Sequence, residues 1–196
     1  MLNPDWDKLF STHEWGKYPA EELIKFSKSL PKKSCILEVG CGTGANIWYL
    51  AREGFKAYGI DGSQVAITKA QDRLKKDKLS ANLQLGDITN IPYSNNYFDG
   101  VIDNESLYSN SLKDTKLILG EIKRVLKKKG LFYSRTFNKG TSGLKQGRIL
   151  ARFITKKGIY GLYGRFFKIL SLDKIEYTNN NGAIKISEWI IVCQKD

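Results

Sequence analysis

Apolar positions along the chain form short continuous runs, separated by stretches in which they recur at helical spacing. Cys35-Ile36-Leu37-Glu38-Val39 is an apolar run ending in glycines, the pattern of a strand covered on both faces. Thr43–Glu53 reads as a helix and Lys56–Ile60 as a second strand ending at Asp61. Ser63 is placed to cap a helix whose Ala66, Ile67, Ala70 and Leu74 share one face. Asn82–Leu85 and Tyr97–Asp103 supply two further strands. Thr115–Leu126 is a helix with Ile118, Leu119, Ile122, Val125 and Leu126 inward, closed by lysines and Gly130, and Leu131–Phe137 is a fifth strand. Strand and helix in alternation predict an α/β fold, a Rossmann-like three-layer α/β/α domain around a mostly parallel sheet.

The two ends depart from that rhythm. Asp5–Tyr18 mixes Trp6, Phe10, Trp15 and Tyr18 with polar residues and is expected to pack across the domain. Pro19 then opens a helix, with Glu21 and Glu22 complementing its dipole and Ala20, Leu23, Ile24, Ser27 and Leu30 inward, until Pro31 ends it. After the fifth strand, Phe166–Tyr177 and Ala183–Cys193 are β-rich runs joined by Thr178-Asn179-Asn180-Asn181-Gly182, whose Asn-Gly is a hairpin signal. The organisation expected is one domain: residues 1–33 a helical cap, 34–137 a ligand-binding core, 138–165 a basic glycine-rich substrate-side loop, and 166–196 a terminal β-hairpin.

The chemistry concentrates at strand ends. In Glu38-Val39-Gly40-Cys41-Gly42-Thr43-Gly44 the glycines permit a tight turn between strand and helix. Asp61 follows 21 residues after Gly40, at the second strand's end, where a carboxylate can accept from both hydroxyls of a ribose. Together they indicate a nucleoside-containing ligand. Gly40-x-Gly42-x-x-Ala45 also fits the dinucleotide fingerprint, so an NAD-binding protein is a rival on this segment. Glu38 within the first strand, Asp87 closing the third in Leu85-Gly86-Asp87-Ile88, the fourth-strand run Phe98–Asp103 and the closing hairpin weigh against it.

At these residues the chain resembles the class I S-adenosylmethionine-dependent methyltransferases, in particular the small bacterial branch acting on non-polymeric substrates. The resemblance covers about residues 34–137 and the hairpin, with the motifs in order. It departs at Leu126-Lys127-Lys128-Lys129-Gly130, which lacks the family's proline. It implies a seven-stranded sheet of order 3-2-1-4-5-7-6 with strand 7 antiparallel. It also implies S-adenosyl-L-methionine as cofactor and S-adenosyl-L-homocysteine as product. The cofactor-binding residues it implies are Glu38, Gly40, Cys41, Gly42, Gly44, Asp61, Gly62, Asp87, Ile88 and Asn104. His13, the lone histidine, and Glu105 are candidate catalytic residues; Tyr18, Tyr108 and Arg135 are candidate substrate contacts. Asp103 reads as structural.

Charge bears on the acceptor. The net charge is +12, yet Lys123–Leu172 holds 14 Lys or Arg and no acid, which leaves the rest at −2. Such a field favours an anionic partner, although lysine-rich usage also scatters over solvated surfaces. Lys139, Lys145, Arg148, Arg152, Lys156 and Lys157, with Tyr160 and Tyr163, would grip an anionic small molecule such as a phosphorylated or nucleotide-linked sugar. The fourth strand ends Asp103-Asn104-Glu105-Ser106, without the motif of DNA amino methylation, and no Pro-Cys pair offers a C5-methylation thiol. RNA or protein methylation using the basic C-terminal half is the alternative. Cys35, Cys41 and Cys193 show no metal-type pairing, so no metal site and reduced thiols are expected. No apolar run approaches a membrane span, and MLNPDWDKLF carries acids where a signal peptide carries bases. A cytoplasmic protein is the reading.

Overall fold

The computed structural model describes residues 4–13, 16–143, 151–179 and 181–196. Trp15, Lys145, Arg148 and Asn180 of the expectations above lie outside the described residues. The elements run α1 (Pro4–Thr12), α2 (Glu21–Lys28), β1 (Cys35–Val39), α3 (Ala45–Arg52), β2 (Lys56–Asp61), α4 (Gln64–Lys76) and β3 (Asn82–Leu85). They continue with β4 (Phe98–Asn104), a 3-10 turn at Leu107–Ser109, α5 (Leu112–Val125), β5 (Leu126–Phe137), α6 (Lys156–Tyr163), β6 (Lys168–Asn179) and β7 (Ile184–Gln194). The sheet has seven strands in the order β3-β2-β1-β4-β5-β7-β6. β1, β2, β3, β4 and β5 pair in parallel, and β7 runs antiparallel to both β5 and β6.

Alternate residues of the central strands feed two cores. Leu37, Val101 and Phe132 pack on one side of the sheet with Ile118, Leu119 and Ile122 of α5. Ile36, Ile102 and Tyr133 pack on the other with Leu23 and Phe26 of α2 and Ile47 and Leu50 of α3. The period of two along each strand thus loads both faces. Every crossover returns the chain to the same end of the parallel strands, so Val39, Asp61, Leu85 and Asn104 all point their strand ends into one crevice.

Local chemistry sets the helix starts. Ser63 caps α4 by accepting from Ala66 N–H, and Ser111 caps α5 by accepting from Asp114 N–H, one turn earlier than the apolar spacing predicts. Two further differences are physical. The lysines after α5 do not close it: the helix stops at Val125 and Leu126 already pairs with Phe98, so Lys127–Lys129 lie within β5 beside a register shift. The stretch read as a basic glycine-rich loop contains α6. Its N-cap Thr155 accepts from Gly158 N–H, and burial of Ile159, Leu162 and Tyr163 outweighs the poor helix propensity of Gly158 and Gly161. Ile159→Ala is therefore expected to cost about 2–4 kcal/mol of stability, as a fully buried large-to-small change does. Urea titration checks this, and a loss below about 1 kcal/mol would show that α6 is not part of the core.

Candidate cofactor and acceptor site

A cavity of about 970 Å³ occupies the crevice at the strand ends, with Trp6 and Phe10 of α1 and Tyr18 along its rim. The glycine turn after β1 forms its floor. Gly40 sits at φ +68°, and a Cβ there would stand 2.4 Å from Ser106 Cβ, so the loop after β4 demands this glycine. Gly44, at φ +76°, is likewise closed off by Ala70 of α4. At Gly40 and Gly44 the space a side chain would need is thus taken by the chain itself.

Glu38 is buried in β1. Its Oε1 accepts from Asn46 Nδ2 at 2.6 Å, while Oε2 is buried with no hydrogen-bond partner. Burial pushes its carboxyl up to about 8; the Asn46 bond opposes the shift, and the charges of Asp61 and Asp103 add to it. Asp61 ties the glycine turn to the next helix: Oδ2 accepts from Gly42 N–H and Oδ1 from Ser63 N–H, both at 2.8 Å. Burial raises its carboxyl despite those bonds. A carboxylate has about four acceptor sites, so each oxygen keeps capacity for one more donor. Asp87 closes β3, with Oδ1 accepting from Thr89 N–H and Oγ1. Asp103 is fully buried and holds Ser106 N–H, Leu107 N–H and Ser134 Oγ, consistent with a structural role.

The structure gathers nearly all the candidate residues here. Glu38, Gly40, Cys41, Gly42, Gly44, Asp61, Gly62, Asp87, Ile88 and Asn104 line the cavity, as do Tyr18, Glu105, Tyr108 and Arg135. His13 does not line it; the residue is exposed at the end of α1, with Nδ1 2.9 Å from Thr12 Oγ1. Lys139, Arg152, Lys156 and Lys157 do not line it either. Arg152 instead holds Leu107 carbonyl and Thr115 Oγ1. Asn46 and Ser106 were not marked as site residues by the sequence, because nothing in their spacing marks them; Trp6 and Phe10 of α1, expected only to pack across the domain, line the cavity as well. Among the described lining residues the charged side chains are Glu38, Asp61, Asp87, Glu105 and Asp114 against Arg135. Among the described residues no group of His, Cys, Asp and Glu is arranged for a metal ion, and no helix is long and apolar enough to cross a membrane.

Sheet order and cavity charge separate the two readings of the glycine turn. A dinucleotide-binding sheet keeps its strands parallel in the order 3-2-1-4-5-6 and sets a pyrophosphate at the first helix. Here β7 is inserted in reverse between β5 and β6, and acids outnumber basic side chains along the crevice, which does not suit a pyrophosphate. The sheet order is the one that the resemblance to class I S-adenosylmethionine-dependent methyltransferases implies. Residues 30–161 match the family model described as a methyltransferase domain, and the chain belongs to that family.

Relatives carry the same label. Uncharacterized methyltransferase C750.03c of Schizosaccharomyces pombe is 38% identical over 68 residues, 35% of this chain and 47% of that protein. The ubiquinone biosynthesis O-methyltransferase of Pelagibacter ubique is 27% identical over 177 residues, 87% of this chain and 72% of that protein. A SAM-dependent methyltransferase structure from Methanosarcina mazei shares the fold at a TM-score of 0.76 and 23% identity, covering 87% of this chain and 96% of that one. The chain spans about half the length of the uncharacterized S. pombe methyltransferases it matches.

Proposed function

We propose that the domain binds S-adenosylmethionine in this cavity and catalyses methyl transfer to an oxygen or nitrogen atom of a small molecule. The observation that carries the reading is the excess of carboxylates lining a nucleoside-sized cavity, which suits a ligand bearing a sulfonium and an ammonium group. The residues fit that ligand. The orphaned Glu38 Oε2 can accept from its ammonium, Asp61 retains acceptor capacity for a ribose, and Asp87 and Ile88, which line the same cavity, would serve the adenine. When bound, the cofactor supplies a methyl group already activated by a positive sulfur.

The protein's share is then orientation and proton management. Holding an acceptor in line is worth about 7–11 kcal/mol at best. The substrate end of the cavity is built from the loop after β4 and from β5: Asn104, Glu105, Tyr108 and Arg135. A neutral or cationic acceptor suits this end, since Arg135 is already engaged by carboxylates.

Calorimetric titration with S-adenosylmethionine, S-adenosylhomocysteine and NAD tests the cofactor reading. The first two are expected to bind and NAD to give no heat; comparable binding of NAD would overturn it. Methyl-transfer assays with matched neutral and phosphorylated acceptors, and with tRNA, test the acceptor. Turnover confined to the RNA would replace the small-molecule reading.

A further inference from the structure

Glu188 of β7 is fully buried, in a strand whose other buried positions include Ile186, Ile190, Ile191 and Cys193. Its Oε2 accepts from Arg135 Nε at 3.0 Å and from Nη2, while Oε1 is buried without a partner. The same guanidinium meets Glu105 Oε1 at 3.1 Å from Nε and Glu22 Oε2 at 4.0 Å from Nη1. One positive charge therefore faces three carboxylates in a largely covered pocket. Desolvated like charges cannot all stay ionised cheaply, and a proton on one of them is the ordinary relief.

Geometry selects which one. Glu105 lines the cavity and Glu188 does not. Glu105 also sits at φ +63°, in the left-handed region, pinned by its N–H to Arg135 carbonyl at 3.1 Å. A non-glycine residue there is strained, and such strain collects at functional positions.

We propose that Glu105 receives the proton of the acceptor's O–H or N–H group, and that Glu188, which shares the Arg135 guanidinium with it, is the positioning residue that sets the proton affinity of Glu105. The inference rests on the methyl-transfer reading above. In the step, the acceptor lone pair forms the bond to the methyl carbon and the carbon–sulfur electron pair stays on sulfur. The acceptor's proton passes to a Glu105 oxygen and then to solvent. Burial and the Glu188 charge push Glu105 up to about 7, with Arg135 opposing and Asp103 adding to the rise. The other titratable groups around it are Tyr108 after β4, Tyr133 of β5, Tyr177 of β6 and, across Arg135, Glu22 of α2. A base with affinity near the operating pH is the most effective kind.

Three variants, read by NMR and by turnover, test this in the whole chain. With glutamate labelled at the δ-carbon, NMR of the wild type should show a carboxyl titrating near pH 7 that is absent in Glu105→Gln. In Glu188→Gln that carboxyl should move down by about one pKa unit or more, and Glu188→Asp should restore it in part. With any acceptor the enzyme turns over, Glu105→Gln should lower kcat by about 10²–10⁴, and Glu188→Gln should move the acidic limb of the pH profile the same way as the NMR. S-adenosylhomocysteine affinity should stay unchanged in all three variants. Its loss already in the wild type would indict the cofactor reading instead. An unmoved Glu105 carboxyl in both Glu188 variants, or none titrating between pH 6 and 8 in the wild type, overturns the proposal.

Discussion

Asp61→Ala is expected to weaken S-adenosylhomocysteine binding by about 100-fold or more while the domain stays folded. Two charge-assisted hydrogen bonds to a ribose are worth about 1.5–3 kcal/mol each, and alanine removes both at once. The substitution also releases Gly42 N–H and Ser63 N–H, so the glycine turn loses its tie to α4. The affinity loss should therefore come with a modest fall in Tm. Asp61→Asn, which keeps one acceptor but turns an amide N–H₂ toward a backbone donor, should rank between wild type and alanine. Calorimetry decides the matter: affinity within threefold of wild type in the alanine variant would place the ribose elsewhere.

Glu38→Gln should do two opposite things. Burial raises the Glu38 carboxyl to about 8, Glu105 to about 7 and Asp103 to about 6, so the folded chain binds these protons more tightly than the unfolded one. The stability they contribute is full below their ordinary carboxylate range and is lost as pH rises through those folded-state values. The ligand-free domain should thus lose Tm steadily between about pH 5 and pH 9. Glutamine at position 38 cannot ionise, so the variant should escape the last part of that fall. We expect a gain of roughly 2 kcal/mol at pH 9 over wild type, or about 4–8 °C in Tm, and little difference at pH 5. The same change weakens the proposed partner of the ligand's ammonium, so S-adenosylhomocysteine affinity should drop by about 10- to 100-fold. Melts across pH with parallel titrations separate the effects. An equal Tm difference at both pH values would mean that Glu38 does not carry a buried charge.

These expectations follow from parts of the chain read unequally well before the structure. The strand-and-helix alternation from Ser34 to Phe137 was legible because the central strands carry apolar runs and each helix a single apolar face. The hairpin was legible from Asn181-Gly182. α6 was not, because Gly158, Gly161 and Gly164 argue locally against a helix and only tertiary burial of Ile159 and Leu162 overrides them. The α5–β5 junction misled for the opposite reason: three lysines and a glycine imitate a helix end, while the chain turns a residue earlier into a strand. At the site, acids at strand ends were readable because topology alone carries them to one crevice. Glu188 was not, since a lone acid among isoleucines gives no hint of the arginine two strands' worth of sequence away.

The position of β7 has a bearing on synthesis as well as on shape. The strand that completes the centre of the β5 side is made after the strand that forms the border. While a ribosome is still extending the chain through β6, β5 carries an open row of amides and carbonyls with nothing alongside, and β6 has no neighbour to join. Such bare borders invite pairing with other chains. Nascent molecules stalled in this interval are candidates for chaperone capture, and closure of the sheet waits on the arrival of Ile184–Gln194.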